Sequence, residues 1–351
     1  MKKKAEINSR LEALLSKASE KNLDSVLVSS PSALRALTGV DCGESVLEVS
    51  PNRRGSKFSI YTDFRYVSQL HRTLPHIKVR KVRNVSLLKP YGKRVGCEMS
   101  VPYGTILKWQ KNSPVSQFVD FSAELQQLQA VKTEDEISRL RAAEELTCEI
   151  WEEARAKFRP GMTERDMARI IRILMLEKGE GEAFDTIVCV GANAAECHHV
   201  PDDTPWNGRD GVLVDMGVKL NGVASDLTRN ILPKRLSRLY RTVYSTVLEA
   251  NLKAIAAVKP GITCKALDKI ARDVIKKAGF GNAFGHSLGH GVGYEVHESP
   301  IVSKRSSQVL EKGMVLTIEP GIYLEGNLGV RIEDLVLVTE TGCEVLSKTA
   351  K

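Results

Sequence analysis

Four acidic residues in the C-terminal half are spaced so that they could hold cations between them. The run Val212-Leu213-Val214-Asp215-Met216-Gly217, then Lys219-Leu220-Asn221-Gly222, then Val223-Ala224-Ser225-Asp226-Leu227-Thr228, reads as a hairpin around a turn. A loop over Lys219–Gly222 sets Asp215 directly opposite Asp226. A two-residue type I′ turn at Asn221-Gly222 instead sets Asp226 opposite Gly217, with Asp215 its diagonal neighbour on the same face. Either register brings the two carboxylates together; directly facing side chains lie roughly 5 Å apart, where two anions repel unless a proton or a cation lies between them. A second such run, Met314 to Gly321 and then Gly329 to Leu335, carries Glu319 and Glu333 symmetrically about Gly326, although Pro320-Gly321 interrupts regular pairing.

A nitrogen donor is available nearby in Phe284-Gly285-His286-Ser287-Leu288-Gly289-His290-Gly291, with His297 beyond it. His286 and His290 are spaced for a helical zinc pair, but the surrounding glycines weaken a helix. Oxygen donors with one imidazole suit two octahedral-leaning ions, manganese foremost and then cobalt or zinc, better than a thiolate-type structural zinc. Two such ions would activate water near neutral pH and polarise a carbonyl. Singly, a buried acid on a strand is more often salt-bridged and a histidine more often a core residue; the set together asks for cations. His198, His199, Asp202, Asp203 and Asp334 have no such support and on these grounds read as loop or surface residues.

The elements that must position these groups come from a duplication. Residues 160–184 align without a gap on residues 260–284, identical at nine of 25 positions, including both Pro-Gly-x-Thr starts and both Ala-Phe ends. Each copy reads as a Pro-Gly turn, an amphipathic helix, a glycine stop and apolar strands. Two copies of this length argue for pseudo-symmetric halves closing on one shared site rather than a solenoid. Before them, Thr133-x-x-Glu136 opens a polar helix to about Phe158 with a capping box. Earlier still, helical patterns at Ile7–Ser19 and Asp63–Arg72 alternate with short apolar runs at Ser25–Val28, Val46–Val49, Phe58–Tyr61 and Arg94–Cys97, an α/β pattern. At 351 residues two folding units are expected, with the boundary near residue 130.

Residues 1–130 carry a formal charge of +10 and the remainder −2, so the basic half is not the half with the chemistry. Its charges are scattered singly among few aromatics, which reads as a solvated surface rather than a nucleic-acid or membrane face. Seven cysteines without a C-x-x-C suit a reducing compartment. The lysines after Met1 precede no apolar stretch of export-signal type, and no run reaches spanning length, so a cytoplasmic protein is expected.

The motifs VDMG with Asp215, SDLTR with Asp226, GHGVG with His290, IEPGIY with Glu319 and RIED with Glu333 resemble, in order and spacing, the dinuclear metallopeptidases of pita-bread fold. The branch is that of aminopeptidase P and prolidase. The resemblance runs from about residue 130 to the end; more loosely, Tyr61-Thr62-Asp63-Phe64-Arg65-Tyr66 is similar to that branch's creatinase-type domain. It implies an α/β protein: a creatinase-type N-terminal domain over residues 1–130, then a pseudo-twofold pita-bread α+β catalytic domain over residues 131–351. By the same resemblance Asp215 chelates one metal, His290 and Glu319 bind the other, and Asp226 and Glu333 bridge both. His198 and His297 match substrate-side histidines that stabilise the oxyanion and the scissile amide nitrogen. Glu319 doubles as proton shuttle, Arg331 fixes nearby carboxylates through a bidentate pair, and His286 shapes the proline site. A homodimer is implied as well.

The resemblance implies hydrolysis of peptides with proline in second position. Some dipeptide-cleaving relatives carry an arginine shortly after the His-Glu-x-Pro run, a cation that would capture a dipeptide's free carboxylate; here Ile301 follows His297-Glu298-Ser299-Pro300. That tilts the expectation toward an Xaa-Pro aminopeptidase acting on longer peptides, with strict Xaa-Pro dipeptidase as the alternative. A methionine aminopeptidase would lack the extra domain. From another class, a non-catalytic peptide- or nucleic-acid-binding pseudo-enzyme is disfavoured by the intact ligand set.

Overall fold

The computed structural model describes residues 2–351, with side chains from Ile7 onward, and divides into a unit reaching Gln129 and a unit from Ala130 to Lys351. The first unit runs α1 (Lys2–Glu20), β1 (Ser25–Val28), α2 (Pro31–Thr38), β2 (Val46–Val49), β3 (Phe58–Thr62), α3 (Val67–Thr73), β4 (Lys78–Lys81), β5 (Arg94–Cys97), α4 (Tyr103–Asn112), β6 (Gln117–Asp120) and α5 (Ser122–Ala130). Its strands form one mixed sheet in the order β4-β3-β2-β1-β5-β6. Val26 and Val28 face one core and Leu27 the other, because alternate residues of a strand point to opposite faces. The helical pattern expected from Asp63 begins only at Val67: the Asp63 carboxylate instead accepts from the Arg65 amide and pairs with its guanidinium.

The second unit holds two copies of a helix pair over antiparallel strands. In the first, α6 (Glu134–Lys157) and α7 (Glu164–Lys178) cover β7 (Ile187–Val190), β8 (Val212–Met216) and β11 (Leu227–Ile231); the small hairpin β9 (Lys219–Leu220) and β10 (Val223–Ala224) lies between β8 and β11 in sequence. In the second, α8 (Arg238–Ala257) and α9 (Cys264–Lys277) cover a five-stranded sheet. It is built from β12 (Gly289–Gly291), β13 (Glu298–Val302), β14 (Val315–Ile318), β17 (Asp334–Val338) and β18 (Cys343–Val345). The hairpin of β15 (Gly321–Leu324) and β16 (Leu328–Arg331) stands between β14 and β17 in sequence.

Local chemistry sets these boundaries. Thr133 with Glu136 and Thr163 with Asp166 form reciprocal capping boxes that satisfy the first amides of α6 and α7, and Thr263 caps α9. The backbone repeats the duplication too: the Gly161 amide bonds the Trp206 carbonyl, as that of Gly261 bonds the Leu310 carbonyl. Each half buries its own apolar core, one around Trp151, Met167 and Val214, the other around Val247, Leu267 and Leu316.

Candidate metal centre

The two hairpins aim their carboxylates at one pocket. Asn221 and Gly222 both have positive φ, 52° and 73°, and Leu220 pairs with Val223, which is the two-residue turn and not the four-residue loop. In that register Thr228 faces Asp215, and Asp226 sits two residues before Thr228 on the same face. On the other side, Ile318 pairs with Asp334 and Gly321 with Arg331, so Glu319 and Glu333 lie opposite each other where the strands break at Pro320.

His290 reaches them from β12, and not from a helix: Cβ atoms at its neighbours Gly289 and Gly291 would fall 2.0 Å from the Thr317 carbonyl oxygen and 2.1 Å from that of Ser299. Only glycine lets the strand lie that close. The His290 Nδ1–H donates to the Gly291 carbonyl at 3.2 Å, leaving Nε2 to face Glu319 Oε1 at 3.3 Å and Asp226 Oδ2 at 3.6 Å. Burial, then the neighbouring His297, lowers its pKa to about 4, so the ring is neutral.

A cavity of about 440 Å³ is lined by Asp215, Asp226, His290, Glu319 and Glu333, and also by His198, His286, His297 and Arg331. Burial, then the charges of Glu333, Asp215 and Glu319, holds the Asp226 carboxyl well above its ordinary range; burial, then Glu319 and Asp215, does the same to Glu333. Burial raises Glu319 to about 8 against the opposing charge of Arg331. Asp215 Oδ1 is buried with no hydrogen-bond partner, an acceptor aimed at an unfilled role. Four converging carboxylates and one neutral imidazole fit hard divalent cations.

Arg331 does not grip one carboxylate in the expected bidentate fashion. Its Nη2 bonds Asp215 Oδ2 at 2.6 Å, Nη1 bonds the Tyr323 hydroxyl at 3.0 Å and Nε bonds Thr228 Oγ1 at 3.0 Å. Thr228 in turn donates to Glu333 Oε2 at 2.6 Å, so its hydroxyl passes the contact on. Tyr323 also lies 2.9 Å from His286 Nε2, and burial, then Arg331, lowers the His286 pKa to about 4. His297 packs against His290 with ring centroids 4.3 Å apart and the planes tilted by 60°.

Residues 138–340 match metallopeptidase family M24, and residues 10–131 match the creatinase/prolidase N-terminal domain. The chain belongs to metallopeptidase family M24. Along its length this M24 chain is 35% identical to an Xaa-Pro dipeptidase of Pyrococcus furiosus, covering 97% of this chain and 98% of that one. A prolidase structure from Pyrococcus furiosus superposes with a TM-score of 0.89 at 33% identity over 96% of this chain and all of the other. An X-Pro aminopeptidase from Thermotoga maritima superposes at 0.83 and 33% identity, over 95% and 98% of the two chains.

Three further residues of this M24 chain bear on the site: Tyr323 and Cys197 line the pocket, and Thr228 bonds Arg331 and Glu333. Thr228 was accessible to strand alternation once the turn type is known, and Tyr323 stands inside IEPGIY; Cys197 offers no signal. Asp334 is not a surface residue: it is fully buried, its carboxylate bonding Arg229, Asn251 and Lys351. His199 is likewise held, its ring between Glu164 and Glu196. Asp203 is exposed and pairs with Arg165, as a surface acid should.

Proposed function

We propose that this chain is a metal-dependent hydrolase of Xaa-Pro bonds whose substrates are dipeptides, with manganese the first ion to supply. The observation that supports the metal chemistry is the convergence of Asp215, Asp226, His290, Glu319 and Glu333 around the unsatisfied Asp215 Oδ1. Similarity to an Xaa-Pro dipeptidase along nearly the whole chain supports the substrate. When bound, the ions supply Lewis acidity and lower the pKa of water at the site.

The chain's own groups have separate work. Asp226 and Glu333, one from each hairpin, line the pocket and would be shared by the two ions; Asp215 would hold one, and His290 with Glu319 the other. Glu319, on the pocket wall, would take a proton from water and return it to the leaving imino nitrogen. His198 and His297 stand on the pocket wall to bind the substrate carbonyl and amide as charge develops. Arg331 holds Asp215 and, through Thr228, Glu333, which keeps the carboxylates in register. His286 and Tyr323 close the wall where a proline ring would pack.

A second reading, Xaa-Pro aminopeptidase, is favoured by Ile301, which lines the pocket where a cation would meet a dipeptide's carboxylate. Hydrolysis of Ala-Pro, Ala-Pro-Ala and Ala-Ala-Ala by chelator-stripped, manganese-reloaded protein separates them. Preferred cleavage of Ala-Pro is expected; cleavage of the tripeptide well above the dipeptide makes it an aminopeptidase. No metal-dependent cleavage of any refutes both.

A further inference from the structure

His198 reaches the pocket on the loop 191–205, and the hold on that loop is ionic. Glu164, first residue of α7, has a carboxylate with no exposed surface. Its Oε1 accepts from the Val190 amide at 2.6 Å and Asn193 Nδ2 at 3.0 Å. Its Oε2 accepts from the Asp202 amide at 3.0 Å and lies 2.7 Å from His199 Nε2. The other ring nitrogen, Nδ1, lies 2.9 Å from Glu196 Oε2. Ionised carboxylates only accept, and a neutral imidazole donates from one nitrogen, so carboxylates at both nitrogens call for the imidazolium.

Burial opposes that charge, but the hydrogen bonds to Glu196 and Glu164 outweigh it and raise the His199 pKa. The other charges nearby are Asp202 and the Arg165–Asp203 pair. Glu164 already accepts from four donors, which makes the cluster an ion pair and not a further cation site. The second half of the duplication has the same backbone hook, Glu164 N to Thr204 O matching Cys264 N to Gln308 O, but its residue is Cys264. The ion pair thus belongs to the half that carries His198.

We propose that the imidazolium of His199 is a positioning residue, a latch between Glu164 and Glu196 that fixes the loop presenting His198 to substrate. The role of His198 rests on the function proposed above; the latch itself does not. Glutamine at 199 keeps one donor and carries no charge.

The test compares wild type, His199→Gln and Glu196→Gln for Ala-Pro hydrolysis with manganese, metal content, and hydrogen exchange over residues 191–205. His199→Gln is expected to lower kcat by about tenfold or more, with KM within about twofold, metal content unchanged and faster loop exchange. The latch is present below the His199 pKa and lost as pH rises through it. Glu196, 71% exposed, is replaceable without disturbing the core, and Glu196→Gln should move the alkaline limb of kcat to lower pH. A wild-type kcat in His199→Gln with an unmoved alkaline limb in Glu196→Gln overturns the latch. A wild type that cleaves nothing overturns the proposed function alone; loop exchange then decides, and equal exchange in wild type and His199→Gln refutes the latch.

Discussion

Asp226 and Glu333 have the same problem with different neighbours: each is buried among other carboxylates, and each is stable as an anion only beside a cation. Replacing either with alanine should abolish Xaa-Pro hydrolysis and lower bound metal, measured by elemental analysis; full turnover with a stripped site would sink the mechanism. Arg331 works through shape as well as charge, because one planar fork reaches Asp215, Tyr323 and Thr228 at once. Arg331→Lys keeps the charge and loses two of those contacts. Its kcat is expected to fall by about tenfold or more while metal content stays near wild type. Wild-type kcat in that variant would show that charge alone suffices.

At the scale of elements, the turn at Asn221-Gly222 decides which side chains meet Asp215. Asn221 holds φ at 52°, where a Cβ costs roughly 1–2 kcal/mol and asparagine is tolerated better than alanine. Asn221→Ala should therefore lower stability by about 1 kcal/mol in urea unfolding, with no change in the slope. An unchanged midpoint would mean that the sheet, not the turn, sets the register. At α7, Thr163→Ala removes the threonine half of a capping box and is expected to cost about 1 kcal/mol. Elements with local causes were legible in sequence: Thr-x-x-Glu for the cap of α6 and Pro-Gly before each repeated helix, with Asn-Gly offering the turn as one of two registers.

For the whole molecule the main electrostatic cost lies at the point where the two halves of the duplication meet. In chelator-stripped protein the raised carboxyls bind protons more tightly folded than unfolded. Stability must then fall as pH rises from the ordinary value of 4.5 through about 8 for Glu319. Thermal unfolding at about pH 5 and about pH 8 should show the drop in chelator, and manganese should raise the melting temperature and flatten the dependence. Equal melting at both pH values without metal would refute the picture of mutually repelling acids.

The sequence alone determined the duplication, the strand and helix types, the placing of Asp215 and Asp226 on one face of a hairpin and the facing of Glu319 with Glu333, since all of these follow from periodicity, turn residues and spacing. It left open which turn register applies, and it misplaced Asp334. Tertiary structure decided the rest. Thr228 meets Glu333 across 105 residues, Arg331 meets Asp215 across 116, and Arg229 with Asn251 and Lys351 buries Asp334. Periodicity says which face a side chain occupies; it does not say what the other half of the molecule brings against that face.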